Sequence, residues 1–486
     1  MHQPVADRAV HGEPAQHDRA LCHVCGTGNA SRIRRPNRQR APGSAGTGSG
    51  APPGPTITID ESRSDQTRPN DGDRERDGAR LVWRGRGVPT RLTRRADFDR
   101  FSAINRFSAL DGLRALSVIA VVWHHTSGTP GPAILGKGYQ GVDFFFAISG
   151  FLITTLLLRE QRTTGRISLR KFYARRSLRI FPLYYVTLLL YVVLVAVTLR
   201  HSHEGRAFVG HLPAFATYTS NWFVDLTAER SVPFYFAWSL ATEEQFYLLW
   251  PPLLVATLAI GRRRTWVPLA ALIALVTVSQ GARLVTDTSR LPGRIPASLS
   301  LPILLGAAAA LAVSTPRGFA VVSAVLGRTW SAPAAGVLLA AALALNPPRQ
   351  ITQVLMAAVV VSTCLVEWTP LHPMLQWRPL VFVGVLSYGV YLLHMLCANL
   401  DRRIIHQQSG IVLTAATLIT VIFVAYLSFR FFETPLLTLK RRYETQEQRQ
   451  GDELSRIGAD NRPVITGQCR WRRWRRDFLP PCGSRR

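Results

Sequence analysis

Between about residue 108 and residue 432, apolar positions gather into runs of roughly 16–25 residues, bounded by charged or turn-forming residues. Runs of that length match a helix that crosses a hydrocarbon core of ~30 Å. They centre on residues 109–127, 141–159, 180–199, 236–260, 266–282, 298–313, 333–346, 351–367, 380–400 and 411–432. The pattern predicts an all-α integral membrane protein, a bundle of about ten transmembrane helices. Proline and glycine inside several runs are tolerable where neighbouring helices cover the freed backbone groups. No tandem repeat interrupts the pattern.

The two ends differ from this middle. Residues 1–105 are rich in Arg, Pro, Gly, Asp and Ser and hold no long apolar run. Such a composition cannot bury enough apolar surface to fold alone, so this stretch is expected to be a disordered tail. No secretory signal is expected there, since an apolar core followed by small residues is absent. Residues 438–486 form a second basic, polar tail, which leaves 106–437 as the transmembrane domain. The overall 47% hydrophobic content therefore averages unlike parts.

Charge adds an orientation. The net charge of +28 comes from basic residues that flank the apolar runs. That is the placement of the positive-inside rule rather than of a nucleic-acid face, so no nucleic-acid partner is expected. The segments RTTGRISLRKFYARRSLR (162–179), GRRRT (261–265) and LKRRYE (439–444) fall on one side if ten spans alternate. The Arg-rich N-terminal tail falls there too, so both termini are expected in the cytoplasm of a multi-pass cell-membrane protein. DRRIIHQQSG (401–410) then becomes an outward loop whose two arginines break the rule locally. Of the six cysteines, Cys364 and Cys397 lie in apolar runs and behave as small hydrophobes. Cys22-His23-Val24-Cys25 is half of a zinc spacing with no second half nearby, so no metal is expected.

Several ionisable residues interrupt the apolar runs, and such residues are costly in lipid. In LDGLRALSVIAVVWHHT (110–126), Arg114 and His125 are eleven positions apart. At ~100° per residue they share one helix face, ~16 Å apart along the axis, while His124 points ~80° away. Asp111 is three residues before Arg114 and is read as its structural partner. Arg114 and His125 are candidates for a reaction site; His124 is assigned a structural role. In GVDFFFAISGFLIT (141–154), Gly141, Ser149 and Gly150 permit close helix packing. Asp143 can favour the first turn of its helix. Ser149 has no general base beside it in sequence and is not assigned as a nucleophile. In FYARRSLRIFPLYYV (172–186), Arg175, Arg176 and Arg179 serve as a positive anchor and are also suited to bidentate phosphate contacts. In WSLATEEQFYLLWP (238–251), Glu243 and Glu244 point ~100° apart, so one can pair with an arginine while the other enters a site. His394 in LSYGVYLLHM lies within a span, and Glu433 in FRFFETP is read as a helix-end residue.

Together these segments resemble the acyltransferase 3 family of integral-membrane acyltransferases, over about residues 106–437. LDGLRALSVIAVVWHH is similar to the family's opening motif, an Arg and a His with ten residues between them, here Arg114 and His125. GVDFFFAISGFLIT, RRSLRIFPLYY, WSLATEEQFYLLWP, LSYGVYLLH and FFETP resemble the later motifs in family order. The resemblance implies transfer of an acyl group, often acetyl, from cytoplasmic acyl-coenzyme A to a hydroxyl. Acceptors in the family include cell-envelope glycans, lipid-linked sugars and small secondary metabolites. No permanently bound cofactor is implied; acyl-CoA is the donor substrate. Some members carry an extra extracytoplasmic hydrolase-like domain, for which the residues after the last run leave no room.

On that reading, the coenzyme A phosphates dock against Arg175, Arg176 and Arg179, with Arg114 nearby. The thioester extends toward His125, the general base on the acceptor hydroxyl, since imidazole titrates near neutrality. Glu243 or Glu244 orients or charge-balances it. An acyl-His intermediate is a variant of the same scheme. Two other classes compete. A transporter or flippase would use Arg114, His125, Glu243 and Glu244 as a proton relay. A membrane scaffold would tolerate substitution at all four.

Overall fold

The computed structural model describes residues 91–436 apart from 105–106, 129–134, 225–231, 262–263, 288–289 and 367. The C-terminal tail, most of the N-terminal tail, the Cys22–Cys25 pair and the basic LKRRYE segment lie outside the described residues. Within them the chain is helical throughout, and no strand occurs among the described residues. The helices are α1 (Arg91–Ala103), α2 (Ser108–Thr126), α3 (Gly141–Thr164), α4 (Leu169–Leu194), α5 (His203–Ala216), α6 (Ser220–Phe223), α7 (Trp238–Ile260) and α8 (Trp266–Val285). They continue with α9 (Leu291–Ala297), α10 (Leu301–Val313), α11 (Pro316–Leu326), α12 (Ser331–Leu345), α13 (Arg349–Leu365), α14 (His372–Leu375), α15 (Arg378–Ile405) and α16 (Ile411–Ser428).

Each of the ten predicted runs falls on one of these helices. Among the described residues, six stretches are long and apolar enough to cross a membrane: Gly136–Thr164, Leu169–Leu199, Trp266–Val285, Leu291–Val313, Arg378–Ile405 and Ile411–Leu436. Two bent pairs raise the number to eight if each is a single crossing: Asp97–Ala103 with Ser108–Thr126, and Pro316–Leu326 with Ser331–Leu345. α7 has the length, but Glu243 and Glu244 dilute its apolar character, and α13 is a shorter apolar helix. The chain is a multi-pass membrane protein.

Local chemistry sets the helix ends. Gly165 ends α3 in the left-handed region, at φ 74°, where its N–H reaches the Gln161 carbonyl. Ser168 then caps α4 by accepting from the Lys171 N–H. α4 therefore begins well before the apolar run at 180, and Arg175, Arg176 and Arg179 belong to a helix packed within the bundle. The polar tail also ends earlier than composition suggests. Phe101 is buried in α1, and Phe98 and Phe101 set their rings against Phe319 of α11 at 5.6 and 5.4 Å. Two aromatics three residues apart are enough to dock one helical turn of an otherwise polar stretch.

α2 carries both Arg114 and His125. It packs against α15 on one side and α3 on another, and only small residues permit the approach. A Cβ on Gly384 of α15 would lie 1.8 Å from the Asp111 carbonyl oxygen. α3 and α10 meet through a reciprocal pair. A Cβ on Gly150 would lie 1.9 Å from Ile303 O, and one on Gly306 would lie 2.2 Å from Ala147 O. The close packing expected at Gly150 is thus present, with α10 as its partner. Gly150→Val must push α3 off α10, at a cost toward the top of the ~1–3 kcal/mol typical of overpacking. The unfolding temperature in detergent should drop accordingly, and an unchanged midpoint would show that the helices do not depend on this contact.

Candidate active site

Two groups of ionisable residues lie at the two ends of α2, joined by a polar line between helices. At the N-terminal end of α2, Arg114 Nη1 donates to Asp111 Oδ1 at 3.5 Å, the pairing expected from their spacing. Arg179 of α4 lies within electrostatic range of Arg114, Arg176, Asp111 and Glu433, yet it is exposed. Arg179 is thus the exposed member of a charged group, the arginine mouth. Glu433 accepts from Ser428 Oγ at 3.4 Å and faces this same group, so it belongs to the mouth and not only to a helix end.

The two other arginines of α4 are already engaged. Arg175 Nη2 pairs with Glu160 at 3.3 Å. Arg176 Nη2 pairs with Glu243 Oε1 at 3.5 Å, and its guanidinium lies 3.7 Å from the Tyr247 ring centroid. Arg175 and Arg176 therefore each have a carboxylate partner, as Arg114 has in Asp111, and Arg179 is the exposed arginine of the group. Glu243 Oε1 also accepts from Ser149 Oγ at 2.5 Å and from the Tyr247 hydroxyl. So the carboxylate missing beside Ser149 in sequence is supplied from α7. Glu244 makes no hydrogen bond or ion pair among the described residues, and lies within electrostatic range of Arg176, Tyr184 and Tyr388. Of the two adjacent carboxylates, Glu243 is the paired one.

At the other end of α2 a second group surrounds His125. Its Nδ1 is 2.9 Å from the Val121 carbonyl, one helical turn back. The His394 Nδ1 bonds the Tyr391 carbonyl in the same manner. A carbonyl oxygen only accepts, so in each neutral ring Nδ1 carries the proton and Nε2 the lone pair. The two rings lie 5.0 Å apart. His394 is fully buried, and its Nε2 has no hydrogen-bond partner among the described residues. Arg402 bolts the arrangement together. Its Nη2 donates to the His125 carbonyl at 2.7 Å, its Nε to the Gln408 carbonyl at 3.1 Å and its Nη1 to Asn399 Oδ1 at 2.7 Å. His124 is exposed and sets its ring edge-on to Tyr139 at 5.5 Å, consistent with the face it takes on α2.

The line between the groups runs through α15 and α7. The Tyr391 ring lies 5.6 Å from His394, and its hydroxyl bonds Ser239 Oγ. Ser239, Glu243 and Tyr247 follow at four-residue intervals on one face of α7, which leads down to Arg176. No hydrogen bond, ion pair or ring contact joins Glu243 or Glu244 to His125 among the described residues. His125 meets the rings of His124 and Tyr235, and from α15 it meets His394 and Arg402. Sequence carried a signal for both, an ionisable residue inside a span and an arginine on the wrong side of the charge rule, but nothing to say what they touch.

Asp143 has a similar history. It does sit in the first turn of α3, but it is buried and chelated. Arg349 Nε and Nη2 donate to its two oxygens at 2.9 and 3.0 Å, and Gln353 Nε2 donates at 3.1 Å. A bidentate pair across 206 residues, not the helix end alone, holds it. No group of three or more metal-ligating side chains occurs among the described residues.

This arrangement of arginine mouth, polar line and paired histidines lies within the region that comparison with known proteins picks out. The acyltransferase 3 family model, described as an acyltransferase domain, matches residues 107–430. The chain belongs to the acyltransferase 3 family. Residues 107–430 are accordingly an acyltransferase 3 domain. Over 358 residues it is 29% identical to the peptidoglycan O-acetyltransferase OatA of Listeria monocytogenes, covering 68% of this chain and 55% of that relative. Over 361 residues it is 29% identical to the putative peptidoglycan O-acetyltransferase YrhL of Bacillus subtilis, covering 68% of this chain and 54% of that relative. Over 173 residues it is 38% identical to a putative O-acetyltransferase of Staphylococcus aureus strain COL, covering 34% of this chain and 28% of that relative. The chain thus spans about half the length, or less, of these curated relatives. No solved structure matches it.

Proposed function

We propose that this acyltransferase moves an acetyl group from acetyl-coenzyme A across the bundle to a hydroxyl of a cell-envelope carbohydrate. The observation that carries the reading is the pairing of His125 with His394 at one end of α2, with Arg114 and Arg179 at the other. The relatives named as peptidoglycan O-acetyltransferases support a carbohydrate acceptor. Ten crossings, if α7 and α13 are counted with the six apolar stretches and the two bent pairs, together with the basic flanks, support both termini on the cytoplasmic side.

Arg114 and Arg179 take the phosphates of the donor at the mouth, and the pantetheine arm follows the polar line. The ~16 Å between Arg114 and His125 suits an extended arm. His125 Nε2 accepts the proton of the acceptor hydroxyl as its oxygen attacks the thioester carbonyl carbon. The C–S bond breaks, and the coenzyme A thiolate takes the proton back from the imidazolium. Arg176 and Glu243 hold α4, α3 and α7 in register beside that path, and Glu244, without a partner of its own, faces the arm. The proton-relay transporter would use the same residues, but membership of an acyltransferase family weighs against it.

The test uses the purified full chain in phospholipid vesicles with acetyl-labelled coenzyme A and an N-acetylglucosamine oligosaccharide. Label should pass to the saccharide as a base-labile ester. Turnover of other acyl donors with none of acetyl-CoA would sink the donor assignment, and no label in any saccharide would sink the acceptor class.

A further inference from the structure

The turn at residues 232–237 leads into α7 and carries three consecutive aromatic side chains, Phe234, Tyr235 and Phe236. Phe234 and Phe236 are buried. Phe234 holds a left-handed backbone, at φ 67°, which a bulky side chain adopts only where its surroundings over-determine it. Its ring is fixed by Tyr184 and Tyr191 of α4 at 5.5 and 5.0 Å, Phe215 of α5 at 5.5 Å and Phe236 at 5.2 Å. The Phe236 backbone is pinned as well. Its carbonyl accepts from the Tyr391 hydroxyl at 3.1 Å and from Ser239 Oγ at 3.2 Å.

This strained and doubly anchored turn delivers the Phe236 ring to His394, with the centroids 5.1 Å apart. His394 also meets the rings of His125 at 5.0 Å and Tyr391 at 5.6 Å, and Tyr235 stands 6.2 Å from His125. Centroid separations of about 4.5–7 Å are those of aromatic rings in contact, so a flexible chain does not pass between them. Among these rings Phe236 alone carries no polar atom. It presents a hydrocarbon surface beside a histidine whose Nε2 has no hydrogen-bond partner among the described residues. Shortening Phe236 removes that surface and spares its hydrogen bonds, which its backbone carbonyl makes.

Resting on the acetyl-transfer reading, we infer that Phe236 limits the length of the acyl group that the site accepts. The thioester carbonyl stands beside His125, where the acceptor oxygen loses its proton. The carbons beyond that carbonyl therefore lie among the rings around His125 and His394. A methyl group fits against them. A third or fourth carbon has to displace a ring, and Phe236 is packed on Phe234 at 5.2 Å and on Tyr391 at 6.0 Å. One methylene too many in an apolar pocket is worth about 10–200-fold in kcat/KM.

The experiment gives the full chain in phospholipid vesicles acetyl-, propionyl- or butyryl-coenzyme A, with the N-acetylglucosamine oligosaccharide as acceptor, and follows ester formation by mass. Comparing donors within one preparation makes the result independent of how much of a variant folds. The wild type should favour acetyl over propionyl by about tenfold or more in kcat/KM, and over butyryl by about a hundredfold. Phe236→Ala should bring butyryl to within about tenfold of acetyl. Phe236→Leu, the milder change, should admit propionyl before butyryl and carries the test if the alanine variant does not insert. Phe208→Ala removes another buried ring, packed on Phe215, and should keep the wild-type ratios. Equal use of acetyl and butyryl by the wild type would overturn the inference while leaving acyl transfer intact. An unchanged propionyl-to-acetyl ratio in Phe236→Leu, or the same shift in Phe208→Ala, would overturn it too. Transfer from none of the donors by the wild type would overturn the acetyl-transfer reading and the inference with it.

Discussion

His125→Ala is expected to lower acyl transfer by roughly 10²–10⁴-fold, the range that a positioned general base contributes. Membrane insertion should be unchanged. His125 is half-buried at the end of α2, and its removal leaves the Arg402 contact in place, because that contact is to the backbone carbonyl. The variant thus removes the imidazole without removing the bolt. His124→Ala is the matched control. His124 lies on a neighbouring face, exposed beside Tyr139, and its loss should cost no more than a fewfold through the packing of the adjacent ring. The measurement is label transfer per mole of protein recovered in the membrane fraction. Full activity in His125→Ala, or equal losses in both variants, would remove His125 as the base.

The second large effect concerns stability. Glu243→Ala strands the Arg176 guanidinium between helices and removes the acceptor for the Ser149 and Tyr247 hydroxyls. Breaking such a pair from one side costs about 3–5 kcal/mol. The Arg176→Ala/Glu243→Ala double variant should recover much of that loss, since both charges leave together. Unfolding in detergent, followed for the two single variants and the double, gives the coupling directly. Losses that simply add would mean that the two side chains are close without depending on each other.

How much of this was readable beforehand depends on sequence distance. The helices were, because an apolar run in lipid has no other way to satisfy its backbone. So were the Arg114–His125 face and the Asp111 pairing, which are periodicities of one helix. The contact of His125 with His394 was not. Each histidine is visible as an ionisable residue within a run, but their meeting is a property of how α2 packs on α15 through Gly384. The same holds for Ser149 with Glu243 and for Asp143 with Arg349. The α4 arginines were read as an open cluster because composition shows charge and hides partners. Glu160 and Glu243 come from other helices and neutralise two of the three. The short helix α1 was hidden for the opposite reason, since two phenylalanines in a polar stretch barely change its average.

The bolt from Arg402 to His125 spans 277 residues of chain. A ribosome delivers α2 near the beginning of the domain and α15 near the end. Until α15 is inserted, His125 has neither the His394 ring nor its anchored carbonyl. A chain arrested midway through synthesis would carry Arg114, Arg179 and His125 yet lack His394 and Arg402. Biogenesis thereby supplies its own safeguard, with the last helices to enter the membrane completing the site.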